Sequence, residues 1–275
     1  MIVDTHTHVV STDETRYPMQ CTATDPADPG AWPLRTRVTA DELERAMTAA
    51  GVARACLVQG YAAYRFDNRY TVASAEAWPR RFVSVCALDP EDADALAALE
   101  ALARSPRVGG LRLTSGGLLG GRGLDSPGSQ RLWDAAERLG LVVSILSLPD
   151  GLEAVAASAR ARPHHPVVLD HCGFVEVVED FERLASLAPL RNVHLKVSSR
   201  VLVQGDPASI VRRLADRFGA GRLMWGSDFP ASDARRYADW VELARAGTKE
   251  LNEEEAADFL ADTALRLWPA WAGPA

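Results

Sequence analysis

The sequence predicts an α/β protein, a single (β/α)8 TIM barrel with a long loop after the first strand and an extra C-terminal helix. Three observations carry that prediction. Eight short runs are apolar on both faces, the pattern of parallel strands covered by helices on each side. Each is followed by helical material, and eight βα units in one chain favour a closed barrel over an open sheet. The 275 residues show no internal repeat and no linker, so residues 1–275 read as one domain of ordinary barrel size.

The elements follow in order. Met1-Ile2-Val3 leads into Asp4-Thr5-His6-Thr7-His8, the first strand and its end. Val10 to Val38 is polar and proline-spotted, too long for a simple connection and typical of a lid or binding loop. Thr39-Ala40-Asp41-Glu42 reads as a capping box, Leu43, Ala46, Met47 and Ala50 form one apolar helical face, and Gly51 ends that helix. Ala53 to Val58 is a strand, Asn68 to Trp78 a helix and Phe82 to Ala87 a strand. Asp89-Pro90 reads as a cap with proline in the first turn of a helix to Ala103.

Val108 to Leu113 is a strand, followed by the glycine-rich Thr114 to Gly128. Ser129 to Leu139 is helical, Leu141 to Leu146 a strand and Pro149 to Arg160 a helix. Val167 to Asp170, Val193 to Val197 and Arg222 to Trp225 complete the strands, with helices at Val175 to Leu187 and from Asp206-Pro207 to Phe218 between them. Two further helices fall near Asp233 to Arg245 and Glu253 to Leu267.

Composition narrows the function classes. Hydrophobic residues at 47% and charged ones at 24% fit a soluble chain with a sizeable core. A net charge of −7 without a basic block argues against a nucleic-acid partner. No apolar run approaches the roughly 18 residues of a membrane span. The chain opens on a core strand rather than a basic, apolar leader, and Cys21, Cys56, Cys86 and Cys172 show no CxxC spacing. A reduced, cytoplasmic protein is expected, with a small-molecule substrate, no membrane partner and a homodimeric assembly.

In barrels of this kind the active site lies at the C-terminal ends of the strands. Those ends collect His6 and His8, Arg112, Asp170-His171, Lys196 followed by Ser198, Ser199 and Arg200, and Gly226-Ser227-Asp228-Phe229-Pro230. Residues i and i+2 of a strand share a face, so His6 and His8 project side by side. Such a pair can ligate one divalent metal or grip an anionic substrate.

These stretches resemble the amidohydrolase superfamily, in the amidohydrolase 2 branch that contains 2-pyrone-4,6-dicarboxylate lactonases. The resemblance spans nearly the whole chain and rests on Asp4-Thr5-His6-Thr7-His8, Tyr64-Arg65-Phe66-Asp67-Asn68-Arg69-Tyr70, Gly110-Leu111-Arg112, Leu169-Asp170-His171-Cys172-Gly173 and Trp225-Gly226-Ser227-Asp228-Phe229-Pro230. It implies that His6 and His8 are metal ligands or substrate contacts, that His171 polarises a substrate carbonyl and that Asp228 takes a proton from the attacking water. That division of labour suits hydrolysis, which needs a base for water and a hydrogen-bonding group where the oxyanion develops.

The chain departs from the metal-dependent pattern at two strands. The fifth ends Ser144-Ile145-Leu146-Ser147 without a histidine, and the fourth offers Arg112. His6, His8 and Asp228 remain as a ligand set, with His171 as an addition, and three ligands plus water can hold a catalytic zinc. An arginine beside them suits an anionic substrate better than a second metal. The expectation is a site that needs no cofactor, with one divalent metal such as zinc as the alternative.

Arg112 is the candidate carboxylate clamp, or else a salt bridge within the mouth, and Arg200 and Arg122 are candidates to extend the clamp. Tyr61 and Tyr64 are candidate substrate contacts or packing residues under the loop. The dicarboxylate lactonases carry an arginine three residues past the sixth-strand histidine. Phe174 stands there in this chain and implies a smaller or less charged substrate. Gly116 to Gly123 lacks the GK[ST] ending of a phosphate cradle and reads as a mobile loop over the mouth. Lys196 reads as a buried or paired lysine, while His164, His165 and His194 read as structural, and Cys172, adjacent to His171, faces the other way.

The expected activity is hydrolysis of a small, carboxylate-bearing lactone or related cyclic ester. A metal-dependent decarboxylase or amide hydrolase of the same superfamily is the second reading. A non-catalytic barrel that binds a small acid is the third.

Overall fold

The computed structural model describes residues 1–21, 29–115, 123–231 and 235–272. Eight strands form one parallel sheet in sequence order: β1 (Val3–Thr7), β2 (Arg54–Val58), β3 (Phe82–Ala87), β4 (Val108–Thr114), β5 (Val142–Leu146), β6 (Val167–Leu169), β7 (Val193–Ser198) and β8 (Leu223–Gly226). Each is followed by an outer helix: α1 (Ala40–Ala50), α2 (Arg69–Ala77), α3 (Ala95–Leu102), α4 (Pro127–Arg138), α5 (Leu152–Ala161), α6 (Phe181–Ala185), α7 (Pro207–Phe218) and α8 (Tyr237–Gly247). The expected (β/α)8 barrel is the observed architecture. No described helix is long and apolar enough to cross a membrane.

The barrel closes between β8 and β1 by a short seam. The Thr5 hydroxyl donates to the Trp225 carbonyl at 2.6 Å, Asp228 N to the His6 carbonyl at 2.8 Å and His8 N to the Phe229 carbonyl at 2.8 Å. Asp4 adds a side-chain clasp, accepting from Ser227 N at 2.8 Å and from the Tyr237 hydroxyl of α8 at 3.0 Å.

Strand β1 carries a bulge. Asp4 pairs with Ala55 and Thr7 with Leu57, so β1 advances three residues where β2 advances two. Val3 therefore packs with the lumen residues Cys56, Val83 and Met224, Asp4 reaches the outer helix α8, and His6 and His8 turn back into the mouth. Bulges of this kind commonly re-aim side chains beside active sites.

The C-terminal run Glu253–Ala257, a π turn at Asp258–Asp262, Thr263–Leu267 and a last turn at Pro269–Ala272 form the floor of the barrel. Ala261, Ala264, Trp268 and Trp271 pack on Val3, Val83, Val142 and Val168 at the lower end of the lumen. Gly109 makes room for this floor, since a Cβ there would meet Val83 Cγ2 at 2.4 Å and Trp268 Cδ1 at 2.9 Å.

Most expected elements stand within a residue or two, including the Thr39–Glu42 capping box and the Gly51 stop at φ +75°. Two helices are shorter than expected. The one after β3 starts at Ala95, not Pro90, because Asp89 and Asp92 accept from the backbone N–H groups of Glu91 and Asp94 and hold the chain in turns. The one after β6 spans only Phe181–Ala185, because the Gln204 side chain binds the backbone of Val175 and Val177. The long loop after β1 contains a helical turn at Trp32–Arg35. Gly116 to Arg122 lies outside the described residues, so the lid expectation and Arg122 do too.

Candidate active site

The mouth gathers the strand-end residues that the sequence nominates. His6 Nε2 lies 3.7 Å and His8 Nε2 3.4 Å from Asp228 Oδ1, and one donor atom from each of the three residues falls within 4.8 Å of the others. The His171 ring stands 4.5 Å from that of His6. All four side chains are buried.

Local backbone positions two of these groups. The chain leaving β6 makes a left-handed turn, with His171, Cys172, Gly173 and Phe174 all at φ between 50° and 68°. Asp228 leaves β8 at φ +58°. Non-glycine residues rarely adopt this conformation, and such outliers cluster at functional sites.

The protonation states follow from the surroundings. His8 Nδ1 lies 2.9 Å from the Val58 carbonyl, which can only accept, so Nδ1 carries a proton. Burial pushes His171 down to about 4 and, with Lys196 and His171 acting the same way, holds His6 well below the ordinary imidazole value. Both are neutral at neutral pH. Burial alone would raise Asp228, but His171, the His8 hydrogen bond, His6 and Arg200 outweigh it and keep the carboxyl well below its ordinary range.

Two imidazole nitrogens and one carboxylate oxygen converging on one point fit a single divalent cation. His6 Nε2 is buried and makes no hydrogen bond, as a ligand atom awaiting a metal would. The donor set suits zinc, and the hydrogen bond from His8 to Val58 is the outer-shell contact that fixes a ligating histidine.

The two arginines reach the mouth engaged with its carboxylates. Arg112 Nε donates to Asp170 Oδ2 at 2.8 Å, and its side chain is 7% exposed. Arg200 Nε donates to Asp228 Oδ2, its NH2 group donates to the Ala231 carbonyl at 3.1 Å, and its side chain is 38% exposed. Tyr61 starts the helical turn after β2, and its hydroxyl accepts from Arg65 at 3.0 Å. Tyr64 is buried and accepts from Ser11 N beneath the long loop. His165 sits between the Trp133 indole N–H and the Leu141 carbonyl, in keeping with a structural role.

Lys196 is fully buried and paired, in line with its reading from the sequence, with Nζ 3.0 Å from Asp170 Oδ1. Two features escape sequence reasoning. Asp170 is wholly buried, and its Oδ1 also lies 3.6 Å from His6 Nδ1. Trp32, from the long loop, stacks on His8 with ring centroids 5.4 Å apart.

A parallel eight-stranded barrel with imidazoles and carboxylates gathered at its C-terminal mouth has the layout of a barrel enzyme. The sequence matches the amidohydrolase family over residues 3–270, and the chain belongs to that family. L-fucono-1,5-lactonase of Burkholderia ambifaria is 30% identical over 220 residues, which cover 74% of this chain and 76% of that protein. A probable 2-pyrone-4,6-dicarboxylic acid hydrolase from Acinetobacter baumannii, solved with citric acid bound, superposes with a TM-score of 0.76 at 19% identity, over 97% of this chain and 98% of that one. A zinc-bound amidohydrolase from Burkholderia multivorans superposes with a TM-score of 0.74 at 24% identity over all of both chains. The two solved structures share the fold.

Proposed function

We propose that the protein hydrolyses a small lactone bearing at most one carboxylate, with Asp228 as the base for water and His171 as the group that meets the developing oxyanion. The observation that carries this reading is the convergence of His6, His8 and Asp228 beside a neutral His171. A neutral imidazole N–H is a good donor to an oxyanion because it gives no proton away prematurely. The lactonase relative supports the reaction class. Phe174, tilted against His171 with ring centroids 4.9 Å apart, leaves that flank apolar, and Arg200 is a partly exposed cation to which a single substrate carboxylate can pair.

A carboxylate held well below its ordinary range is a weak base, and general bases work best near the operating pH. A cation on His6, His8 and Asp228 would relieve that mismatch by acidifying the water it binds. Asp228 then needs only to accept and hand on a proton, His171 orients the carbonyl, and the floor of Trp268 and Trp271 keeps bulk water out from below. We therefore include one divalent metal, zinc by its donor set, in the proposal. Four free cysteines support a reducing compartment, the cytoplasm.

The test is metal content of protein purified without affinity-tag metals, with ring opening measured on neutral sugar lactones and carboxylated pyrones before and after chelation. Near-stoichiometric zinc and chelator-sensitive ring opening are expected. Chelator-resistant hydrolysis would remove the metal from the proposal, and carbon dioxide release without ring opening would replace lactone hydrolysis by decarboxylation.

A further inference from the structure

A side pocket of about 10 Å³ lies at the C-terminal ends of β3 and β4, with room for one water-sized group. Phe66, Leu88, Pro90 and Leu113 give it carbon walls, and Arg112 and Thr114 are its polar members. Arg112 joins it to the mouth, because the same guanidinium reaches Asp170 beside His6. A second space, a groove of about 890 Å³, runs on the outside between α2 and α3. Val72, Ala98 and Leu102 line it with apolar surface, and Phe66 and Leu88 line both spaces. Those two side chains are therefore the partition between the mouth and the groove.

Three successive carbonyls fix the chain at Phe66. The buried Gln59 amide donates to those of Arg65 and Asp67 at 3.0 and 2.9 Å, and the buried Asn68 amide to that of Phe66 at 2.9 Å. Asn68 also bonds both ways to the backbone of Ala87, at 2.8 and 2.9 Å, and so ties this loop to the end of β3. Arg65 is held at φ +52°, a conformation that non-glycine residues seldom adopt and that functional sites retain. The Phe66 ring meets the Tyr61 ring edge-on at 5.2 Å, and Arg65 braces Tyr61 in turn through its hydroxyl at 3.0 Å.

We propose that Phe66 is a specificity-determining residue: its ring closes the pocket beside Arg112 and admits no substituent larger than a methyl group. This rests on the lactone reading given under the proposed function. It adds the class of lactone, one with a small apolar group on the side of its ring that faces β3 and β4. Asp170 already neutralises Arg112, so the pocket favours an apolar group over a second carboxylate. Removing the Phe66 ring joins the pocket to the groove, which then receives a longer apolar chain.

The test compares wild type, Phe66→Ala and Phe66→Leu on γ- and δ-lactones carrying hydrogen, methyl, propyl, phenyl or carboxylate at each ring carbon in turn. At the carbon that faces the pocket, wild-type kcat/KM should peak at methyl and fall at least about tenfold for propyl and phenyl, since one methylene too many in an apolar pocket costs roughly 10–200-fold. Phe66→Ala should reverse that ranking, gaining at least about tenfold on propyl and phenyl while losing on methyl. Phe66→Leu should fall between the two, and it carries the test if Phe66→Ala does not fold. A residue that only supports the fold would lower every lactone alike. Calorimetric Kd values for the ring-opened hydroxy acids give the same ranking without turnover.

An unchanged ranking in the folded variants at every ring carbon would overturn the proposal. So would a wild-type preference for carboxylate over methyl at the carbon where Phe66→Ala relaxes the limit. If wild type opens no lactone, the functional reading fails, and the hydroxy-acid series still decides the role of Phe66. Binding of none of those acids would overturn both.

Discussion

A Cβ atom on Gly226 would lie 2.8 Å from the Cβ of His6, so the last strand reaches the first only because residue 226 lacks a side chain. The contact joins the barrel seam to the candidate site at the mouth. Gly226→Ala should therefore cost about 1–3 kcal/mol of stability by overpacking, at roughly 2–4 °C of Tm for each kcal/mol in a chain of this size. Because the displaced residue is His6, kcat measured well below Tm should also fall. Calorimetry and kinetics showing both values unchanged would mean that the seam tolerates a methyl group.

Asp228→Asn should lower kcat by about 10²–10⁴-fold, the range for losing a general base. The fold should survive, because asparagine accepts the left-handed backbone that Asp228 adopts at φ +58°, and the bonds from Asp228 N to the His6 carbonyl and from Ala231 N to the Asp228 carbonyl remain. Near-UV circular dichroism beside the kinetics separates loss of chemistry from loss of structure. Near-normal turnover would end the mechanism.

The acid limb of kcat/KM reports Asp228 and should lie below the ordinary carboxylate range, since His171, His8, His6 and Arg200 together outweigh burial. Arg200→Ala removes one of those influences, so the limb should move upward. Arg200 is 38% exposed and screened by solvent, which limits the movement to less than about one pH unit. A downward shift would contradict the pairing of Arg200 with Asp228.

Asp4 titrates in the opposite sense. Burial raises it to about 6, against the hydrogen bonds from Ser227, His6 and Tyr237. A raised folded-state value gives a contribution that is full below the unfolded value and lost as pH rises through the folded one. The stability of wild type relative to Asp4→Asn should thus fall by roughly 3 kcal/mol between pH about 4 and about 7 and then level off. Denaturant titrations across that range check the sign, and a difference that grew with pH would show that Asp4 is held as a stabilised anion.

The strands are legible in the sequence because they are apolar on both faces, and the mouth is legible because polar residues follow those runs. Period-two spacing also puts His6 and His8 on one face. It does not say which face, because counting by twos from the inward Val3 points both histidines outward; the extra β1 residue opposite Ala55–Leu57 reverses that. Asp89-Pro90 has the chemistry of a helix start, yet turns at Asp89 and Asp92 claim the backbone first. Arg112 reads as a clamp for substrate or a salt bridge within the mouth, and its Nε is engaged by Asp170, a partner two strands away that the sequence does not name. Pairings of this kind depend on packing between distant segments, which local pattern does not encode.

The seam also fixes when the site comes into being during synthesis. His6 and His8 leave the ribosome ahead of β2 to β8, and Asp228 follows only after all of those strands. Until β8 docks against β1, the two imidazoles lack Asp228 opposite them, and until Trp268 arrives the lumen below Lys196 has no floor. Contacts of such long sequence separation form late, because their loop-closure entropy must first be overcome. A truncated product that stops before β8 would therefore carry the histidine pair without Asp228 opposite it.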